Sequence, residues 1–424
     1  MSTHVVAFAG VGGGEGPLSW GQTDIWVKMA ALGQALAMGG TRPLPQGATV
    51  EDVEDELRYL MSRYQTFRTR LAFGADGWPS QVVHESGEIG LEIVDAGEDE
   101  DPAEVAAAVE ARLRDSEWDH AAEWPVRMAV IRHDGRPVHV TLIVSHITMD
   151  GAAATLMMLE GAARSTESVS GMLPLEQARK QATPAARRQH EAAMRHWEGH
   201  LRTIPVPAVR PSRDPRSPRH WTGLFRSATL PQALRAAAAR EGLDPAPALL
   251  AAFAMAFARI AGPAVVPLRL TVGNRFRPGL SGTVCPVSQA GLCVVDTAGD
   301  FPQVLRRAHG AALAAYKHAY YDRRDLDRIL ATLAAERGPE LLLDVSLNDR
   351  RGGAGQDAPP PECSSFEWLG ASDGQSSAFF LNVDGSDEAV AITLYLDSHF
   401  MAPDDAEALL WAMEDIAAQQ SAAT

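Results

Sequence analysis

The sequence has little lysine, little cysteine and no long apolar run, and each shortage removes a class of protein. Lysine occurs only at Lys28, Lys180 and Lys317, so arginine supplies nearly all of the 38 basic residues. These face 54 acidic side chains, for a net charge of −16. An evenly acidic surface repels phosphate backbones, so nucleic acid is not an expected partner. The cysteines are Cys285, Cys293 and Cys363. An odd number without a CxxC spacing argues against a disulfide framework or a structural zinc, and fits a reducing cytoplasm. The most apolar stretch, residues 246–261, is interrupted by Pro247 and Arg259 and falls short of the ~20 residues needed to span a bilayer. It reads as a buried helix of a soluble protein, with no membrane partner. The N-terminus lacks a basic segment followed by a long apolar core, so it does not read as a signal peptide.

What is present is an ordinary globular composition. The chain has 424 residues, 46% hydrophobic and 22% charged, enough for two or three domains or one fold of two lobes. Short strands alternate with amphipathic helices in both halves. Residues 4–9 read as a strand, 50–63 and 102–115 as helices, and residues 126–144 as two strands joined at Asp134-Gly135. Ser19 is placed to cap a helix that begins at Trp20. The segment 206–221 carries four prolines and reads as a linker; after it the strand and helix pattern restarts. Gly10 to Gly16 is glycine-rich, but its spacing fits neither nucleotide fingerprint and no Gly-Lys-Ser/Thr follows, so a flexible loop is expected.

The segment Ser145-His146-Ile147-Thr148-Met149-Asp150-Gly151 carries the chemistry. An apolar strand stops at a histidine; four residues on stands an aspartate, then a glycine and a helix of small residues. A strand end fixes the backbone of His146 and frees its ring, and an imidazole titrating near ~6.5 suits general base work. A histidine in such a place is usually a packed or solvated residue, and the pattern alone favours that reading over catalysis. Asp150 suits a helix cap, or a partner for a cation such as Arg63 or Arg68. His196 and His200 share a helix face, but no glutamate directly follows His196, so no metal site is expected.

This segment resembles the HHxxxDG signature of nonribosomal peptide synthetase condensation domains, in the chloramphenicol acetyltransferase-like superfamily. Further stretches are similar to family motifs in the same order: LSWGQTDIW at 18–26, RYQTFRTRL at 63–71, HWEGHL at 196–201, VSQAGLCVV at 287–295, VSLN at 345–348 and LYLDSHF at 394–400. The resemblance implies an α/β (α+β) fold of two lobes in a V with a central tunnel. The lobes would be 1–165 and 223–424, joined by a helix and linker at 166–222. It implies a free-standing enzyme that joins a carrier-bound acyl or aminoacyl thioester to an amine or alcohol, forming an amide or ester in natural-product biosynthesis. His146 would relieve the nucleophile of its proton, and the Gly151 N–H would help hold the oxyanion. Asp150 would be structural, paired with Arg68 or Arg63. Ser145 would support the motif, and Ser288, Ser346 and Asn348 would face the tunnel. No bound cofactor is implied; the donor is a phosphopantetheine thioester on a carrier protein partner, or coenzyme A. A monomer is expected.

The chain departs from the family pattern at named positions. Ser145 stands where the first motif histidine is usual, Tyr64 and Gln65 replace a His and an acid, and Ser288 and Cys293 replace an Asn and an Arg. Two alternatives therefore stay beside the acyltransferase: a non-catalytic module that recruits a carrier or tailoring enzyme, and a coenzyme-A-dependent acyltransferase.

Overall fold

The structure is a computed structural model that describes residues 1–422 apart from 76, 207–211, 339–343, 352–360, 375–376 and 387. The start of the strand expected at 340–348, the loop at 352–361 and part of the 206–221 linker lie outside the described residues. Two compact units emerge: Met1–Arg187 with Gly273–Ser288, and Arg188–Val272 with Gln289–Thr424. This division differs from boundaries at 165 and 222. Residues 166–187 pack with the first unit, and so does a strap, 273–288, from deep inside the expected second lobe.

The first unit contains β1 (Ser2–Ala9), β2 (Gly14–Pro17), α1 (Trp20–Leu32), β3 (Met38–Pro43), α2 (Val50–Arg63), β4 (Thr69–Phe73), β5 (Pro79–Val83), β6 (Ser86–Asp95), α3 (Pro102–Asp115), β7 (Val126–His133), β8 (Arg136–Val144), α4 (Gly151–Ala162) and α5 (Pro174–Gln181). A mixed sheet runs β1-β6-β7-β8-β3, and a small antiparallel sheet runs β2-β5-β4. In the large sheet β6 and β7 are parallel, and the other pairs antiparallel. Helix α2 lays Val53, Leu57 and Met61 on one sheet face against Leu91, Met128 and Val130, all buried. The expected helix at 50–63 thus forms; Thr49 caps it and acidic residues stand in its first turn, where the helix dipole favours them. The β7–β8 hairpin turns at Asp134 (φ 51°) and Gly135 (φ 72°), as a twisted two-residue hairpin requires. β8 sits inside the sheet between β7 and β3, which explains its apolar sequence.

The second unit contains α6 (Pro184–Leu201, from Arg188 on), β9 (His220–Ser227), α7 (Leu230–Arg240), α8 (Pro245–Ala261), β10 (Val265–Val272), β11 (Gln289–Asp296), α9 (Phe301–His318), α10 (Arg323–Arg337), β12 (Val345–Asp349), β13 (Ser365–Ser372), β14 (Phe379–Gly385), β15 (Val390–Asp397) and α11 (Pro403–Ala422). Its sheet runs β11-β10-β12-β14-β15-β9-β13. Helix α8 is the apolar run: Leu249, Ala252, Phe253 and Phe257 are fully buried against the sheet and its neighbouring helices. Among the described residues no single helix is long and apolar enough to cross a membrane.

The glycine-rich segment is not an idle loop. Gly14–Pro17 pairs with β5, and the Val11 and Gly12 carbonyls accept from the buried Arg68 guanidinium. The strap makes an equally close approach. A Cβ on Gly21 in α1 would stand 2.0 Å from the Pro286 carbonyl oxygen and 3.0 Å from the Val287 Cα, both backbone. Gly21→Ala should therefore destabilise the protein by about 1–3 kcal/mol through displacement of the strap. Denaturant unfolding of the variant checks this, and wild-type stability would contradict the close packing.

Candidate active site

The motif sits on a tight turn between β8 and α4. The Ser145 carbonyl accepts from the Thr148 N–H (3.0 Å) and from its hydroxyl (2.7 Å), which closes the turn. The Ser145 N–H donates to the Pro125 carbonyl and the His146 N–H to that of Ala35. The backbone of the histidine is thus fixed before its ring does anything.

The His146 Nδ1 lies 2.7 Å from the Met149 carbonyl oxygen. A carbonyl only accepts, so Nδ1 carries the proton and Nε2 carries the lone pair in the neutral ring. Among the described residues Nε2 has no hydrogen-bond partner. Burial pushes the His146 pKa below the ordinary imidazole value and the positive Lys28 adds to this, against weaker opposing effects from backbone contacts and Asp150. The ring is therefore held neutral with its basic nitrogen free. The strand-end histidine expected from sequence has the tautomer and protonation state of a general base.

Asp150 caps α4. Its Oδ1 accepts from the Ala153 N–H (3.0 Å), and its Oδ2 from the Val287 N–H (3.1 Å), the Ser288 N–H (3.0 Å) and the Ser288 hydroxyl (2.8 Å). Arg275 completes the set from Nη1 (2.9 Å to Oδ2) and Nη2 (2.7 Å to Oδ1). Burial alone would raise the carboxyl pKa; the Arg275 charge and these donors overrule it and hold it below the usual range. The cation is therefore neither Arg68 nor Arg63. Arg68 donates to the carbonyls of Val11, Gly12 and His84. Arg63 binds Glu160 (2.8 Å) and the Ser165 and Glu167 carbonyls. Sequence reasoning missed Arg275 because it lies 125 residues from its partner, and only the strap's return to this unit joins them.

Gly151 opens α4 with its N–H unbonded among the described residues, and a Cβ there would meet nothing within 4 Å. Space beside a free N–H at a helix N-terminus suits a developing oxyanion. Ser145 is fully buried and its hydroxyl is 2.8 Å from the His120 Nε2. His120 was not singled out by sequence; no spacing rule links it to the motif.

The structure thus joins Ser145, His146, Asp150, Gly151 and Ser288 in one unit. Ser288 does not offer its hydroxyl to a passage; Asp150 takes it. Ser346 and Asn348 stand on one face of β12 in the second unit, with the Asn348 amide donating to Asn382 (2.9 Å). The Tyr64 hydroxyl donates to Glu160 (2.7 Å), beside Arg63. Burial pushes the Cys285 and Cys293 thiols up to about 12, so neither is a thiolate nucleophile at neutral pH. The His196 ring approaches those of His200 and His318, each at 4.7 Å, yet no group of His, Cys, Asp and Glu among the described residues is arranged to hold a metal.

A family model for the condensation domain matches residues 15–352. The chain belongs to the condensation domain family. Its α/β class is the expected one, and solved condensation domains share the fold. The condensation domain of the monacolin K polyketide synthase MokA aligns with a TM-score of 0.74 at 16% identity, covering 97% of this chain and 98% of that one. The X-domain and OxyB complex from teicoplanin biosynthesis gives 0.73 at 18%, covering 95% and 93%. SgcC5 from Streptomyces globisporus gives 0.68 at 17%, covering 96% and 99%. No curated protein sequence matches this condensation domain. The fold is therefore one used in nonribosomal peptide and polyketide systems.

The Asp150–Arg275 pair is open to a double-mutant cycle. Asp150→Ala and Arg275→Ala should each cost about 3–5 kcal/mol, because each leaves a buried charge unpaired, and the double variant should cost less than their sum. Denaturant melts check this; strict additivity would contradict the pairing. The folded Asp150 value lies below the unfolded one. Its contribution is therefore fully present above the ordinary carboxyl range, near ~4, and fades as pH falls through the folded value.

Proposed function

We propose that this condensation domain catalyses acyl transfer from a carrier-bound phosphopantetheine thioester to an amine or alcohol, giving an amide or ester. The observation that carries the reading is the His146 ring: neutral, with its Nδ1–H committed to Met149 and its Nε2 lone pair unengaged. Nε2 accepts the proton of the nucleophile as that group adds to the thioester carbonyl. The tetrahedral oxyanion gathers at the Gly151 N–H and the positive end of α4. The C–S bond then breaks, and the leaving thiolate takes the proton back from His146. No covalent enzyme intermediate is needed, because a thioester is already activated.

Asp150 has no part in the proton transfers. It is ionised and every contact it makes is to the α4 N-terminus or the strap, so it holds the turn that presents His146. The assembly-line enzymes among the structural relatives support a carrier protein as the donor partner; the condensation domain-mediated chain release from the enacyloxin polyketide synthase is one such relative.

The test pairs wild type with His146→Ala on a panel of carrier and coenzyme A thioesters with amines and alcohols, read by mass spectrometry. His146→Ala should lose about 10²–10⁴-fold in turnover with its fold intact; an equally active variant would end the proposal. Gly151→Ala should keep its melting temperature, since its Cβ enters open space, but lose about tenfold in turnover as that space is taken from the substrate. The folded His146 pKa is depressed, so the free base persists as pH falls past the ordinary imidazole value. The acid limb of kcat/KM should accordingly lie below ~6.5. A limb at or above that value would assign the base role elsewhere.

A further inference from the structure

A cleft of about 810 Å³ opens within the first unit. Its walls include Trp26, Met29, Leu36, Trp118 and His120. Three of its lining residues touch Ser145: the His120 Nε2 is 2.8 Å, the Ala35 carbonyl 3.5 Å and the Met29 sulfur 4.0 Å from the Ser145 hydroxyl. His146 is not in the wall, but its N–H donates to that same Ala35 carbonyl. The cleft is therefore distinct from the open side of Gly151, and it shares a wall with the motif.

Its chemistry is specific. The His120 ring stacks on Trp118 (6.0 Å, 24°) and meets the Trp26 ring edge-on (6.3 Å, 82°), so the three rings form one contiguous part of the wall. The Trp118 indole N–H is buried, out of reach of the cleft, so Trp118 contributes its ring and not its donor to the wall. Asp115 and Glu117 are exposed lining residues and have no cationic partner among the described residues. The cation in the lining, Arg114, is spent on Glu110 (2.8 Å) and the Ala37 and Gly39 carbonyls. Arg127 lies 3.9 Å over Trp118 and donates to the Leu113, Ser116 and Glu117 carbonyls, which fixes the segment carrying these acids. Aromatic walls and uncompensated carboxylates favour a flat body that ends in a cation. The volume falls within the range of ordinary small-molecule pockets, about 300–1,000 Å³.

We propose that this cleft binds a protonated arylalkylamine, its ring against Trp26 and His120 and its ammonium toward Asp115 and Glu117. The site goes beyond the preceding reading and does not depend on it: His146 and Gly151 are not among the lining residues, so a nitrogen held at Asp115 and Glu117 is a bound ligand's and not the reacting nucleophile.

The test is calorimetric titration of the whole protein, without donor, using three probes that differ only at one end: tyramine, 2-(4-hydroxyphenyl)ethanol and 3-(4-hydroxyphenyl)propionate. Tyramine should bind about tenfold tighter than the alcohol and the carboxylate weakest of all. Trp26→Ala should weaken tyramine about tenfold, and the double variant Asp115→Asn, Glu117→Gln should abolish its advantage over the alcohol. Variants are compared only where circular dichroism and melting match wild type, and Trp26→Phe, which keeps a ring, should retain most of the affinity. His146→Ala should bind tyramine normally, so loss of turnover without loss of binding separates the two proposals. Equal affinity for amine and carboxylate, no heat with any probe, or binding indifferent to Trp26 and to both acids would overturn the site.

Discussion

The Asp150 carboxylate is the contact on which the rest of the site depends. A buried charge is tolerated only when its partners replace the water it has lost. Here they come from the first turn of α4, from a guanidinium on the strap and from two consecutive backbone N–H groups at the strap's end. One side chain thereby fixes the start of α4, the end of the motif turn and a segment more than a hundred residues away. His146 lies between β8, which the sheet holds, and Asp150, which the strap holds. Its ring has few positions left, and the hydrogen bond to Met149 selects one of them. The far end of α4 is tied as well, since Glu160 receives both Arg63 and the Tyr64 hydroxyl. The Tyr64 departure from the family pattern thus supplies a neutral donor, and α4 is anchored at both ends.

The serine at the first motif position changes the picture less than its identity suggests. A hydroxyl there is small enough to leave room, and the His120 imidazole, which also stacks on Trp118, comes to it from the loop before β7. Burial lowers the His120 pKa, while the Trp118 backbone acts the other way. The Ser145 and His120 pair therefore packs as a neutral unit behind the motif. An imidazole remains next to this position, delivered from another part of the chain. The His146 tautomer is set separately, by the Met149 carbonyl.

Local signals in the sequence were strong where one element explained itself. Ser19 and Gln22 cap α1 reciprocally, the acids after Thr49 mark α2, and Asp134-Gly135 marks the hairpin. The motif turn was equally legible, because a histidine, an aspartate and a glycine at fixed offsets lie on one short piece of backbone. Other elements carried no such mark. β6 reads Ser-Gly-Glu-Ile-Gly-Leu-Glu-Ile-Val-Asp; two glycines and two glutamates disguise a strand whose Leu91 and Ile93 are fully buried. α10 is rich in Arg and Asp and buries few side chains, so its apolar stripe was faint. The partner of Asp150 was out of reach for a different reason. Many arginines are available, and nothing along the chain says that 273–288 leaves the unit in which its neighbours fold.

That ambiguity has a physical resolution, because Arg68, an expected partner of Asp150, and Arg275, the observed one, solve different problems. Arg68 is buried without a carboxylate on its guanidinium; backbone carbonyls of the glycine-rich segment and of His84 surround it, and burial lowers its pKa. A cation among carbonyls orders a loop that has no side chains of its own with which to pack, and the glycines allow the backbone to turn those oxygens inward. Arg275 faces an anion, and its planar fork meets both oxygens of one carboxylate. Exchanging these partners would leave the glycine-rich segment unanchored and Asp150 buried with a charge uncompensated. The arginine motif at 63–71 and the histidine motif at 145–151 therefore stay separate in their contacts, the first holding the loop and α4's far end, the second holding the turn on which His146 is carried.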